Sequence, residues 1–475
     1  LRGADGGDQP ESDVRPGGER DHFLLQAQQL LDRDVEEVAR SARRVEYSQR
    51  REVGEEVLQC LVDGVVGLSP GRGRGGLAPV DWRRTGVWAW CATCGRTPYR
   101  ARASGGRGRR NSARTEPTEE PPSRAERTEP FHREILLMAE MGLVDIHHSV
   151  VETMATNRGY ERGLIELAER GTDIIVMDAD LAGVSGTSEF RKRFPDRFLD
   201  IGLCEQDMIG TAAGLALAGK CVFVTTHGML AAGKAWDIIR STICYGALNV
   251  NICGADAGLS SGGAGGSRQS LEDVAVMRTL PGMTVIVPAD AVEAKKATIA
   301  AARMPGPVYV RFTASRVPIV TTDITPFTVG QAGVYRQGDD ATVLACGVMV
   351  YEALKAARHL EDEGLGVRVI NCHTIKPLDR AIVNRSAVET GALVTAEEGS
   401  TIGGLGGAVA EALAQTVRPT PIRIVGIEDR FGESGEHEQL LQHFGLTARD
   451  IAAAVREVLT RKRAAKSGTE SITQG

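Results

Sequence analysis

The sequence predicts an α/β protein in which two successive parallel-sheet domains follow a long N-terminal extension that buries little. Three observations carry this reading. Composition changes sharply near residue 137, strand-length apolar runs alternate with helix-length stretches from Met154 onward, and the alternation restarts after a Pro- and Thr-rich stretch at Val317–Pro326.

The 475 residues leave ample length for buried cores. Lys and Arg total 56 against 62 Asp and Glu, a formal charge of -6, so no general nucleic-acid surface is indicated. No stretch approaches the roughly 18 unbroken apolar residues that a membrane-spanning helix needs. The opening Leu1-Arg-Gly-Ala-Asp-Gly-Gly7 has no signal-peptide pattern. The nine Cys are odd in number and lie mostly in apolar runs, as in a reducing compartment. A soluble, cytoplasmic protein is expected.

Residues 1–137 contain no Met and no Lys but 23 Arg, with Gly, Pro and Glu clustered in runs such as Gly71–Gly76 and Arg114–Pro122. Asp34 to Val65 has apolar residues at mixed helical spacing and reads as one or two amphipathic helices; Pro70 to Pro130 reads as disordered. Trp82, Trp88 and Trp90 precede Cys91-Ala-Thr-Cys94. A lone CxxC is weak evidence for zinc, and Cys60 does not complete a four-ligand site, so no metal is assigned to this chain. Two explanations of the segment stay open: upstream sequence translated with a gene that starts at Met138, Met141 or Met154, or a genuine disordered extension.

The first domain is expected over 154–320. Its strands are Asp173–Asp178, Phe198–Leu203, Cys221–Thr226, Val250–Gly254, Thr284–Pro288 and Val308–Phe312. Helices are expected at Tyr160–Arg170, Gln206–Ala218, Ala232–Tyr245, Ser270–Leu280 and Ala291–Arg303. Strands separated by such helices make right-handed βαβ units. The second domain, 336–463, repeats the pattern with strands Thr342–Cys346, Gly366–Ile370, Leu393–Ala396 and Ile422–Gly426. Its helices are Tyr351–Asp362, Arg380–Val388, Ala408–Gln415 and Thr447–Leu459, and 464–475 is a polar, flexible tail.

Chemistry concentrates at Asp200-Ile-Gly-Leu-Cys-Glu-Gln-Asp207. Glu205 falls where a buried strand gives way to a helix, the carboxyl edge at which open α/β sheets place ligands, beside the positive end of the helix dipole. Judged alone, it reads more readily as an ordinary helix-start charge.

It does not stand alone. The run from Asp178-Ala-Asp-Leu through Glu205-Gln-Asp-Met-Ile-Gly-Thr-Ala-Ala-Gly, with Ser270-Leu-Glu-Asp-Val-Ala through Val287-Pro-Ala-Asp290, resembles the pyrimidine-binding domain of transketolases. Thr374-Ile-Lys-Pro-Leu-Asp379, Glu397-Glu-Gly-Ser-Thr-Ile-Gly-Gly404 and Asp429-Arg-Phe-Gly-Glu-Ser434 resemble that family's carboxy-terminal domain. The resemblance spans Met154 to Lys462, with the blocks in the family's order.

That resemblance implies thiamine diphosphate as cofactor and a two-carbon ketol transfer from a ketose to an aldehyde. Glu205 matches the glutamate that hydrogen-bonds the cofactor's aminopyrimidine. Asp180, His227 and Leu230 match positions around the cofactor, the last two standing where aromatic residues usually stack. Arg158 matches a phosphate-binding Arg. Where sugar-phosphate transketolases carry two histidines and an aspartate, this chain has Asp256, Arg268 and Ala264; the usual Arg after the last strand is Ala314, flanked by Arg311 and Arg316. Arg158, Asp256, Arg268 and Arg311 are the substrate candidates. Arg268 is read either as a bidentate grip on an anion or as a solvated loop charge. His373 is read as a structural core histidine.

The family's other domain holds the diphosphate through a divalent ion bound at a Gly-Asp-Gly motif, and no such motif occurs here. The resemblance is therefore to the carboxy-terminal subunit of a split transketolase, with Mg²⁺ or Ca²⁺ supplied mainly through an N-terminal, diphosphate-binding partner subunit. An α₂β₂ assembly, or a homodimer of this chain, is expected, with a small-molecule sugar substrate and neither nucleic acid nor membrane as partner. A 2-oxoacid dehydrogenase E1 β-like or deoxyxylulose phosphate synthase-like subunit, and a non-catalytic partner subunit, are the alternatives.

Overall fold

A computed structural model describes residues 141–146, 150–416 and 419–472, with side chains to 465. The amphipathic patch at Asp34–Val65, the Pro70–Pro130 stretch, Trp82, Trp88 and Trp90, and the Cys60, Cys91 and Cys94 thiols lie outside the described residues.

The first domain opens with β1 (Thr153–Met154) and the helix Thr156–Glu169. Its strands β2 (Ile174–Asp178), β3 (Phe198–Asp200), β4 (Cys221–His227), β5 (Val250–Ala255), β6 (Thr284–Ile286) and β7 (Val308–Arg311) are parallel. β8 (Val317–Pro318) pairs back on β1. The second domain contains β9 (Gly333–Arg336), β10 (Ala341–Ala345), β11 (Val367–Asn371), β12 (Thr374–Lys376), β13 (Leu393–Ser400) and β14 (Ile422–Ile427). Four of these strands form a parallel sheet, and β9 closes one edge antiparallel to β11, giving the order β14-β13-β10-β11-β9.

β12 does not join that sheet. It pairs antiparallel with β6, so the first sheet has seven strands in the order β12-β6-β7-β5-β4-β2-β3. Each sheet thus carries one antiparallel edge strand where the sequence reading expects parallel strands throughout. β9 and β12 are too short, and in β12 too polar, to register as apolar runs.

Buried strands explain the unbroken apolar runs: Ile174, Val176, Phe223, Ile252, Val308 and Val310 are fully enclosed. On one face the helix Thr156–Glu169 crosses the helix Ala291–Ala301 so closely that a Cβ on Gly159 would lie 1.9 Å from the Ala291 carbonyl oxygen, which fixes glycine there. Tyr160 stacks on Phe312 at 4.8 Å between ring centres.

The helix expected over Ala232–Tyr245 is broken. Helical turns at Gly228–Ala232 and Trp236–Ile238 lead into a π-helical segment at Ile239–Cys244, with Gly233 and Lys234 at the break. A further helix, His437–His443, has no counterpart in the sequence reading. The closing helix stays helical in its backbone from Ala448 to Ile472, past the 464 boundary at which a flexible tail is expected.

Candidate active site

Strands β2, β3, β4 and β5 end side by side at Asp178, Asp200, His227 and Ala255, and the segments leaving them share one carboxyl edge of the sheet. Glu205 is the first residue of the helix Glu205–Leu217 and is only 1 % exposed. Its Oε2 lies 2.5 Å from Nζ of Lys234, a half-exposed ammonium at the helix break after β4. The same Nζ lies 3.4 Å from the Leu203 carbonyl oxygen. The bond to Glu205 holds the Lys234 ammonium above its ordinary range.

His227 ends β4. Its Nδ1 is buried without a hydrogen-bond partner and sits 3.8 Å from Oδ2 of Asp256. Burial pushes the imidazole below its ordinary range, with Asp256 opposing and Arg268 assisting; Glu205 and Asp178 also favour the charged ring. Asp256 occupies a left-handed backbone conformation, φ +53°, and its Oδ1 accepts from Ser260 Oγ at 3.3 Å. Leu230 is half-buried on the short helix after His227. The structure thus brings Glu205, His227, Asp256 and the charge of Arg268 to one region.

Asp180 is exposed at φ +57°, and its N–H donates to Asp200 Oδ1 at 3.1 Å. The loop carrying it is pinned by Asp178, which is fully buried. One carboxylate oxygen accepts from Leu181 N at 2.6 Å, and the other accepts from Ser185 Oγ at 2.6 Å and Thr187 Oγ1 at 2.7 Å. Burial raises the Asp178 carboxyl despite these bonds.

Two substrate candidates are placed differently from the sequence reading. Arg158 is exposed and pairs with Glu161 at 3.0 Å on its own helix. Arg311 is a correction. It is 7 % exposed, with Nε 3.0 Å from Asp273 Oδ2 and Nη2 bonded to the Ser270 and Glu398 carbonyl oxygens at 2.9 and 2.8 Å. Its guanidinium is committed to joining the two domains and is not free to grip a substrate. Asp273 in turn accepts from Tyr309 Oη at 2.6 Å.

Sequence reasoning missed the clasp around Glu398 altogether. Its Oε1 accepts from Leu259 N at 3.0 Å and lies 2.7 Å from His437 Nε2. Burial alone would push His437 down, but Glu398 holds it above the usual histidine range. Gly258 passes this carboxylate at φ +71°; a Cβ there would lie 2.6 Å from Glu398 Oε2. His373 is buried beside Phe327, with Nδ1 2.9 Å from Thr374 Oγ1. Among the described residues no group of three or more His, Cys, Asp and Glu converges as a metal site, and no helix is long and apolar enough to cross a membrane.

A buried glutamate thus opens a helix on the carboxyl edge of a parallel sheet, and a second α/β domain follows, the arrangement of a two-domain α/β enzyme section. Residues 152–319 match the transketolase pyrimidine binding domain, and residues 330–451 match the transketolase C-terminal domain. The chain belongs to the transketolase family, as a carboxy-terminal section.

Among its relatives is the 6-deoxy-6-sulfo-D-fructose transketolase subunit SqwH of Clostridium sp. (strain MSTE9), 42 % identical over 63 % of this chain and 92 % of the relative. The putative transketolase C-terminal section of Methanocaldococcus jannaschii is 40 % identical over 64 % of this chain and 96 % of its own length. A solved structure titled a split gene transketolase, inactive beta4 tetramer, is 46 % identical with a TM-score of 0.61, covering 65 % of this chain and 99 % of that one.

Proposed function

We propose that this chain is the carboxy-terminal subunit of a split, thiamine-diphosphate-dependent transketolase. With a diphosphate-binding partner subunit it moves a two-carbon ketol unit from a ketose, or a ketose phosphate, to an aldehyde acceptor. The observation that carries the reading is the placement of Glu205: nearly fully buried, at a helix start on the carboxyl edge of the sheet, with one oxygen already in a hydrogen bond to a mobile-length cation.

The residues present suit the aminopyrimidine half of the cofactor. Glu205 offers a carboxylate to a ring nitrogen, His227 offers an imidazole face, Leu230 an apolar edge, and Asp180 a carboxylate on a loop pinned by Asp178. When bound, thiamine diphosphate supplies the nucleophilic carbon and then the electron sink for the two-carbon unit. Glu205 would hold and orient the pyrimidine by a charge-assisted hydrogen bond. Lys234 would give up that oxygen as the cofactor enters. Asp256, Arg268 and Arg158 are the groups assigned to the sugar.

Mg²⁺ or Ca²⁺ belongs with the partner subunit in this reading, since the diphosphate needs a hard cation with oxygen ligands. A site completed between unlike subunits favours a closed α₂β₂ arrangement. Two named relatives are transketolase subunits or sections, which supports this reading over a dehydrogenase or synthase fragment. The reducing cytoplasm suits the free thiols of Cys204, Cys221, Cys244, Cys253, Cys346 and Cys372.

Co-expression with a diphosphate-binding transketolase subunit, followed by aldehyde release from ketose donors in thiamine diphosphate and Mg²⁺, tests the proposal. Turnover by the pair and none by the single chain is expected. A pair that binds the cofactor but cleaves no ketose overturns it.

A further inference from the structure

We propose that His227 and Asp256 form an imidazole–carboxylate pair that exchanges a proton with a substrate hydroxyl and so selects sugars carrying that hydroxyl. The inference rests on the transketolase reading and deepens it to two side chains.

Strands β4 and β5 are parallel neighbours, with His227 opposite Ala255, so Asp256 leaves the same carboxyl edge one residue further on. Their side chains are each 12 % exposed, with Nδ1 and Oδ2 3.8 Å apart. Nδ1 has no hydrogen-bond partner among the described residues, a state that is costly for a buried ring nitrogen. Closing by about 1 Å onto Asp256 would satisfy it. Asp256 is placed for this: Oδ2 is the oxygen that faces the ring, while Oδ1 lies 3.3 Å from Ser260 Oγ, a hydroxyl that also has the Ala257 carbonyl oxygen at 2.7 Å. The left-handed backbone at Asp256 is a conformation that persists when its surroundings demand it.

The pair gives His227 a defined state. With Nδ1–H donated to Asp256, Nε2 keeps its lone pair, and it makes no hydrogen bond to the described residues. The charged groups facing the ring are Asp256, Arg268, Glu205 and Asp178. Burial outweighs the carboxylates and keeps the imidazole neutral near pH 7, able to accept a proton.

The chemistry balances within the substrate. When the C–C bond next to a hydroxyl opens, the electron pair of that bond stays on the two-carbon unit, the O–H electrons form the new carbonyl, and the proton passes to Nε2. Asp256 then faces an imidazolium. When the acceptor carbonyl becomes a hydroxyl, the proton returns, so none is gained or lost over the cycle.

Two readouts test this on the full chain. In protein labelled with ¹³C,¹⁵N-histidine, the His227 signals, identified by their loss in His227→Phe, should report the Nδ1–H tautomer and titrate at lower pH in Asp256→Asn. An Nε2–H tautomer, or a titration that Asp256→Asn leaves unmoved, overturns the pair without reference to activity. In the reconstituted complex with thiamine diphosphate and Mg²⁺, His227→Phe keeps a flat aromatic face but loses both nitrogens. Cofactor affinity should change less than about threefold while kcat falls about 100-fold and the acid limb of the kcat/KM profile moves. An unchanged kcat and pH profile overturns the proposal, as does a loss of cofactor binding that accounts for the whole loss of rate. Should the unaltered complex cleave no ketose, the transketolase reading fails, and the histidine signals still decide the pair.

Discussion

Lys234 Nζ lies 2.5 Å from Glu205 Oε2, so a carboxylate only 1 % exposed at the start of the helix after β3 is held by a cation from the segment leaving β4, two strands away in the sheet. The lysine side chain is 46 % exposed and the glutamate 1 %, which makes the ammonium the member of the pair that can leave. A ring nitrogen that takes the same oxygen must displace it.

Replacing Lys234 by Met should therefore tighten cofactor binding to the reconstituted complex, by about three- to tenfold. Only the lysine is solvated; the substitution leaves the 1 % exposed Glu205 carboxylate without its cation, so thermal unfolding should also fall, by several °C. Cofactor titration followed by intrinsic fluorescence, alongside calorimetry, checks both. Weaker binding by Lys234→Met would mean that the ammonium assists the cofactor.

Arg311 gives the opposite pattern. Its guanidinium joins Asp273 to the backbone of Ser270 and of Glu398 in the second domain. Arg311→Met strands the fully buried Asp273 carboxylate and should cost about 3–5 kcal/mol in denaturant unfolding. Arg311→Lys keeps the charge but not the fork and should lie between. If instead either variant kept full stability and raised only the donor KM, the guanidinium would be a substrate contact after all.

Two buried groups should tilt the pH dependence of stability in opposite directions. Burial pushes His373 down to about 4, so its contribution is fully present above the ordinary histidine value of about 6.5 and is lost as pH falls toward 4. Burial, with Asp290 nearby, pushes Glu293 up to about 7; its contribution is fully present below about 4.5 and is lost as pH rises through 7. The two nearly cancel between about pH 4.5 and 6.5. Relative to the parent, His373→Gln should therefore lose stability as pH rises across that window, and Glu293→Gln should gain it, each by about 2–3 kcal/mol. Urea unfolding at several pH values measures the slopes; parallel curves for parent and variants would refute the assignment.

How much of this was legible in the sequence follows from which contacts are local. Glu205 was readable because a strand, a turn and a helix start are contiguous in the chain. The parallel strands were readable because burial on both faces leaves unbroken apolar runs such as Ile174–Asp178. Lys234 was hidden, since its partner lies across two strand exits and the break at Gly233 interrupts an otherwise helical pattern.

The clasp of Glu398, His437 and Arg311 depends on how two domains meet, which no single periodicity encodes. The sequence reading has His227 only as a ring expected beside the cofactor. Its nitrogen facing Asp256 was not legible, because that follows from the register of β4 on β5. β12 escaped for a related reason: three residues carry too little pattern to announce a strand lent to the other domain's sheet.

The most direct test is the rate and fold of Glu205→Gln in the complex with a diphosphate-binding subunit, thiamine diphosphate and Mg²⁺. The account predicts unchanged assembly and a thermal transition near that of the parent, with ketose cleavage lowered by at least about 100-fold. A Glu205→Gln complex that assembles and turns over donor at the parent rate would contradict it.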